Sequence, residues 1–292
     1  FTLEVIGACA FGIKCDALSH ENAYFYKVAE NFDYMPKIKR VLIFLCMIFM
    51  PKLLTYLNVS FLHLKSTDEL VRMLQAAKAE RKRLNSREND FLQILIDFAK
   101  KEYTELENTN TAKYLDDDTI DAQCLLFLIA GYETSSTLLS FAIHELAINT
   151  QLQSKLRAHI KEVTDGKEIS YELLSELTYL DGFLLGDAVA VPVYGIHMDP
   201  KYYPEPHELR PERFMHSEKK ERPSHLFLAF GSGPRSCIGS RFAMISAKTA
   251  MMSLMKNYKF STCSQTTYPI EFDKRSVLLK SETGLWVRFE PL

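Results

Sequence analysis

No CxxC pair occurs among the six cysteines, which stand at positions 9, 15, 46, 124, 237 and 263. That scatter argues against a disulfide framework or a structural zinc site and fits a reducing compartment. A bilayer-crossing hydrophobic run is also missing. The longest, residues 41–50, stops at Pro51, short of the roughly 20 residues a spanning helix needs. Charge of one sign is lacking too: the formal net charge is −2, which gives no reason to expect nucleic acid or an acidic membrane as a partner. There is no internal repeat and no low-complexity linker. Residues 1–15 read as mid-domain sequence, so neither a signal peptide nor an N-terminal anchor is expected in them. What the chain has in quantity is apolar material. At 47% hydrophobic and 25% charged over 292 residues, it can bury a substantial core as one large domain or two small ones.

The most informative stretch is FGSGPRSCIG, residues 230–239. It sets Cys237 in a glycine-rich turn, with Arg235 two residues upstream and a helix predicted over 241–256. A cysteine just before a helix start meets the positive end of the helix dipole and unpaired N–H groups, both of which favour thiolate. Gly231, Gly233 and Gly239 permit a tight turn and close approach of a flat ligand. Arg235 offers a fork of donors for a carboxylate. Thiolate, flat ligand and carboxylate together suggest haem. A buried cysteine in a glycine turn is the plainer reading, but Phe230, Gly233, Arg235, Cys237 and Gly239 fill all five fixed positions of F-x-x-G-x-R-x-C-x-G. This is the cysteine-loop signature of cytochromes P450, and the chain resembles that family in its eukaryotic microsomal, insect CYP6-like form. Cysteine-ligated haem is the known P450 arrangement.

A second long element is predicted over 118–149, with Asp118 as cap and Asp121 as capping-box acid. About 30 helical residues measure roughly 45 Å. Its middle reads Ala130-Gly131-Tyr132-Glu133-Thr134-Ser135. A threonine bonded back to its own helix and a surface glutamate would explain the last part alone. Beside the cysteine loop, the stretch is similar to the family's A-G-x-E-T-[ST]. The resemblance then implies that Ala130 lies at the cofactor, that Gly131 thins the helix there, that Thr134 hydrogen-bonds dioxygen, and that Glu133 belongs to the proton relay.

Around these two elements the chain reads mainly as helix. Residues 1–15 are similar to the P450 helix ending in A-F-G, which would leave the family's anchor, hinge and first haem-contacting helix upstream. Residues 21–33 look helical. Residues 41–57 are strongly apolar around one proline. The resemblance places them where microsomal P450s touch the membrane surface, while a core helix broken by proline gives the same pattern. Residues 65–85 are amphipathic along Leu70, Met73, Leu74 and Ala77, with Lys78, Arg81, Lys82, Arg83 and Arg87 as a solvated face. Ser170 should cap a short helix. His144 and His159 read as packing or surface residues, His197 and His207 as surface ones, and 266–292 as terminal strands.

One part of the family pattern is missing. E-x-x-R should follow Tyr179-Leu180-Asp181, with strands after it, yet the chain passes from Leu180 to Val189 straight towards the meander-like residues 200–214. Strings at Glu69–Arg72 and Glu80–Arg83 precede the long helix and are chance matches. The absent pair would leave Arg213 without its charge complement, a cost of about 3–5 kcal/mol if buried.

The expectation is a mainly α fold with small β elements, a truncated P450 fold with residues 1–292 as a single partial domain. The resemblance implies heme b held by Cys237, with Phe230, Gly231, Arg235, Gly239 and Ala130 at the cofactor. It implies an apolar small-molecule substrate, an NADPH-cytochrome P450 reductase as partner, and the cytosolic face of the endoplasmic reticulum membrane. The competing expectation is a non-catalytic or defective product that cannot hold haem.

Overall fold

The computed structural model describes residues 1–13, 42–43, 46, 50, 56, 64–106, 115–164, 170–177, 196–215, 223, 226–232, 236–273 and 280–292. The helix expected at 21–33, most of 41–57, Arg235 and the junction from Leu180 to Val189 lie outside them. The described residues form two compact units, Phe1–Tyr132 and Glu133–Leu292.

In the first unit, α1 (Thr2–Phe11) ends on Gly12, whose φ of 63° is left-handed and suits glycine. Ala8 and Gly7 carbonyls receive the N–H groups of Gly12 and Ile13 at 3.1 and 3.0 Å. The A-F-G ending is therefore a helix stop. A side chain at Gly12 would also stand 3.1 Å from Arg81 Nη2 and 3.3 Å from Asp90 Oδ2. These two residues tie α2 (Leu64–Leu84) to α3 (Phe91–Leu106). Arg81 Nη1 donates to Asp90 Oδ1 at 2.8 Å, and Nη2 donates to the Phe11 carbonyl at 2.9 Å. The solvated basic face expected over 78–87 is thus corrected at two positions. Arg81 is only 8% exposed, and Lys78 pairs with Asp121 at 2.7 Å. Lys82 and Arg83 do face solvent. So does the chance Glu80–Arg83 string, an exposed i,i+3 pair.

Helix α4 (Asp117–Ile148) opens one residue earlier than expected and has a different cap. Asp116, not Asp118, accepts the Thr119 N–H at 2.8 Å, and the same hydrogen bonding holds its carboxyl below its ordinary range. Asp121 is drawn to Lys78 instead of to a capping box. The helix stays regular through Gly131. A Cβ there would stand 2.7 Å from Ile6 Cδ1, so glycine lets α1 lie close against α4. By length and composition alone α4 could cross a bilayer, a test that core helices also pass.

The second unit buries the end of α4 with α5 (Thr150–Thr164), α6 (Tyr171–Ser175) and α7 (Ser240–Asn257). Asn149 Oδ1 caps α5 through the Leu152 N–H at 2.9 Å, and Ser170 caps α6 through Leu173 N–H at 3.2 Å. Met251, Met252 and Met255 of α7 are wholly buried, their flexible thioethers filling gaps between helices. The one sheet among the described residues is small. β1 (Tyr258–Ser261) and β2 (Arg288–Pro291) are antiparallel, with Phe260 opposite Phe289. Of the strands expected over 266–292, the described residues form β2 and a single bridge, Phe272–Ser281, and β1 starts directly after α7. The fold is mainly α with a minor β element.

Candidate functional site

The turn that carries Cys237 closes on itself. The Cys237 N–H donates to the Phe230 carbonyl at 2.8 Å, and the Gly231 N–H to the Leu228 carbonyl at 2.9 Å. Gly231 is the hinge, with a left-handed φ of 73°. Its need for glycine is conformational, since a Cβ there would meet Ser236 Cα only at 3.8 Å, an ordinary contact. Gly239, at φ −90°, caps α7 and accepts the Ala243 N–H at 2.9 Å. Phe230, Gly231, Cys237 and Gly239 therefore meet in one turn at the amino end of α7.

The chemistry of Cys237 follows from that position. Its thiol is exposed and stands three residues before the first residue of an 18-residue helix. Cys124 shows the contrast: it is fully buried, and burial pushes its thiol up to about 12. An accessible thiol on a glycine turn at a helix start fits the ligand that haem iron requires. Arg235, the expected propionate partner, lies outside the described residues. No other cluster of metal-binding side chains occurs among those described.

On α4, Ala130 and Thr134 are exposed and Glu133 is partly buried. Sequence reasoning missed the partner of Glu133. Lys280 Nζ lies 2.6 Å from Glu133 Oε1, tying the C-terminal segment to the acid beside Thr134. No local pattern marks such a long-range pair.

The meander was also incompletely read. Arg213 is buried, but it is not left without partners. Its guanidinium donates to the carbonyls of Pro204, Glu205 (2.5 Å) and Glu208 (3.0 Å). The left-handed Glu205, φ 53°, belongs to the same turn. The 3–5 kcal/mol penalty anticipated for an orphaned arginine therefore does not apply in that form. His197, expected on the surface, is half-buried. Its ring lies 5.1 Å from Tyr203 and stacks at 6.2 Å on Phe227. Its Nε2 accepts the Leu228 N–H at 3.3 Å. Tyr203 Oη donates to the Leu226 carbonyl at 3.0 Å, and Phe214 meets Phe227 edge-on at 5.7 Å. These four rings hold the residues leading into the cysteine turn against the meander. His207 is exposed, as expected.

Comparison with known proteins bears on the family. The family model described as Cytochrome P450 matches residues 1–185 and 183–288. The chain is 34% identical over 324 residues to "Cytochrome P450 6a8" of Drosophila melanogaster, covering 99% of the chain and 64% of that protein. It is 34% identical over 327 residues to "Probable cytochrome P450 6a18" of the same organism, covering 100% and 64%. It is 33% identical over 331 residues to "Cytochrome P450 9e2" of Blattella germanica, covering 99% and 62%. The chain thus spans less than two thirds of these relatives. The aligned span of 324 residues exceeds the 292 of the chain itself, so the relatives carry residues within it that this chain lacks. The two parts of the family match meet at residues 183–185, inside the junction where the sequence pattern breaks.

Proposed function

Because the chain belongs to the cytochrome P450 family, with insect CYP6-like relatives, we propose that it is the body of a haem-thiolate monooxygenase acting on apolar small molecules. Residues 1–292 are read as one partial P450 domain. The observation that carries the reading is the closed turn from Phe230 to Cys237, with an exposed thiol at the amino end of α7. When bound, haem supplies the redox chemistry: one atom of dioxygen enters a substrate C–H bond and the other leaves as water, consuming two electrons and two protons. Cys237 would hold the iron through its sulfur. Phe230 and Gly231 shape the turn and Gly239 starts the helix, while Arg235 would pair with a propionate and Ala130 would lie at the cofactor. Thr134 and Glu133 hold and pass the protons, with Lys280 fixing the glutamate carboxylate. The electrons come from an NADPH-dependent reductase. The setting is the cytosolic face of the endoplasmic reticulum membrane, with residues 41–57 touching its surface.

A second reading is favoured by a specific observation. The family match breaks at residues 183–185 and the aligned relatives are longer within the shared span, which fits a defective product that does not hold haem. The reduced carbon-monoxide difference spectrum of this chain, expressed with haem supplied, decides between them. A thiolate-type Soret band, absent in Cys237→Ser, supports the monooxygenase. Failure to take up haem supports the defective product, and a chain restored at the junction should then show the band.

A further inference from the structure

We propose that His197 is a positioning residue for the cysteine turn, acting through its Nε2 on the Leu228 N–H. The inference rests on the reading of Cys237 as the iron ligand. Leu228 is the residue whose carbonyl receives the Gly231 N–H at 2.9 Å. Gly231 is the left-handed hinge of the turn, and Phe230, between them, accepts the Cys237 N–H at 2.8 Å. A force that fixes the Leu228 peptide therefore passes through two backbone hydrogen bonds to the thiol-bearing residue. His197 supplies it from the meander side, with its acceptor at 3.3 Å.

The ring is held for that task. Tyr203 and Phe227 lie against it at 5.1 and 6.2 Å, the latter nearly parallel at 12°. Tyr203 fixes the same backbone two residues earlier through the Leu226 carbonyl. Nε2 can accept only in the neutral ring with the proton on Nδ1. An isosteric apolar ring would keep the stacking and lose the acceptor, so the two contributions are separable.

The test uses the chain as it stands and does not need haem. Hydrogen–deuterium exchange across residues 226–232 is compared in the wild type, His197→Phe and His197→Gln, with thermal melting as the measure of folding. Phe keeps a ring without an acceptor, while Gln offers an acceptor without a ring. The expected result is that the Leu228 amide exchanges about tenfold faster in the Phe variant, the effect of losing one hydrogen bond. The Gln variant should recover most of the protection. Alkylation of Cys237 by iodoacetamide, followed on its own peptide, should change several-fold in the Phe variant alone. Equal Leu228 exchange in all three chains overturns the proposal. If the Phe variant fails to fold, the Gln variant decides: retained protection at Leu228 supports the tether, and lost protection overturns it. Carbon-monoxide spectra of the same chains are read in parallel. A wild type without a thiolate band would retire the haem reading of this chain and leave the exchange data to judge the tether. A band that stays unchanged in His197→Phe while Leu228 loses protection would overturn the link from tether to ligand.

Discussion

The side-chain amide of Gln153 pairs with the backbone of Phe260 in both directions. Its Nε2 donates to the Phe260 carbonyl at 2.8 Å, and its Oε1 accepts the Phe260 N–H at 3.0 Å. Nε2 also donates to the Leu146 carbonyl at 2.9 Å. One glutamine, 3% exposed, thus satisfies three buried backbone groups from the end of α4 and the start of β1. Arg157, one turn further along α5, donates to the carbonyls of Met255 and Tyr258.

Replacing Gln153 with leucine keeps similar bulk but strands those groups. Each buried unsatisfied polar group costs about 1–3 kcal/mol, so Gln153→Leu, which strands three of them, should lose at least about 3 kcal/mol in urea unfolding. Gln153→Glu should also lose stability, because a carboxylate cannot donate to the Phe260 and Leu146 carbonyls. A Leu variant as stable as the wild type would show that water reaches and satisfies the exposed ends.

Gly131 tests a packing role independent of chemistry. A methyl at this position meets Ile6 Cδ1 at 2.7 Å, and forcing that overlap should cost about 1–3 kcal/mol. Ile6→Val removes the nearest atom and leaves a γ-carbon at the 3.0 Å contact, at a cost of about 0.5–1.5 kcal/mol by itself. The double variant Gly131→Ala, Ile6→Val should therefore be more stable than Gly131→Ala alone. Additive losses in a double-mutant cycle would place the strain elsewhere.

What could be read in advance was local. The cysteine turn is legible because its glycines, arginine and cysteine act within ten residues, and helix α4 because its apolar run leaves few alternatives. Its cap was misjudged because three consecutive aspartates, 116–118, offer equivalent side chains one residue apart, and only the Thr119 N–H distinguishes Asp116. Arg81 was assigned to solvent because helical periodicity cannot reveal that Asp90 and the Phe11 carbonyl converge on it. The same limit hid Lys280 from Glu133, and Phe227 and Leu228 from His197. Each of those partners is brought in by tertiary packing.

Arg81 should prove costly to remove. It and Asp90 are 8% and 7% exposed, and deleting one partner leaves a buried carboxylate unpaired. The expected loss for Arg81→Met is about 3–5 kcal/mol. Arg81→Met combined with Asp90→Leu should recover part of it, since no isolated charge then remains. Equal stability of the single and double variants in denaturant titrations would argue against the buried-charge account.

Lys280 should behave differently. Its ion pair with Glu133 is 39% and 26% exposed at the two side chains, so solvent screens it and its contribution to stability is about 0–1 kcal/mol. Lys280→Ala should melt within a degree or two of the wild type. Under the proposed proton relay, a change in turnover by that variant would then be assigned to the loss of the lysine beside the Glu133 carboxylate. A large drop in melting temperature would instead make Lys280 a structural residue and remove it from the site.

His144 on α4 is fully buried. Burial pulls its pKa below the ordinary 6.5, opposed only in part by the backbone of Thr267. The folded chain therefore prefers the neutral ring, whereas the unfolded chain protonates near 6.5. Between that value and the lower folded pKa, the unfolded state binds the extra proton, so stability falls as pH falls. It is fully present above 6.5. Urea unfolding of the wild type should show a declining midpoint from about pH 7 to pH 5, and His144→Phe should flatten that segment. Parallel pH profiles for the two chains would assign the acid sensitivity to carboxylates instead, and would remove His144 from the account of stability.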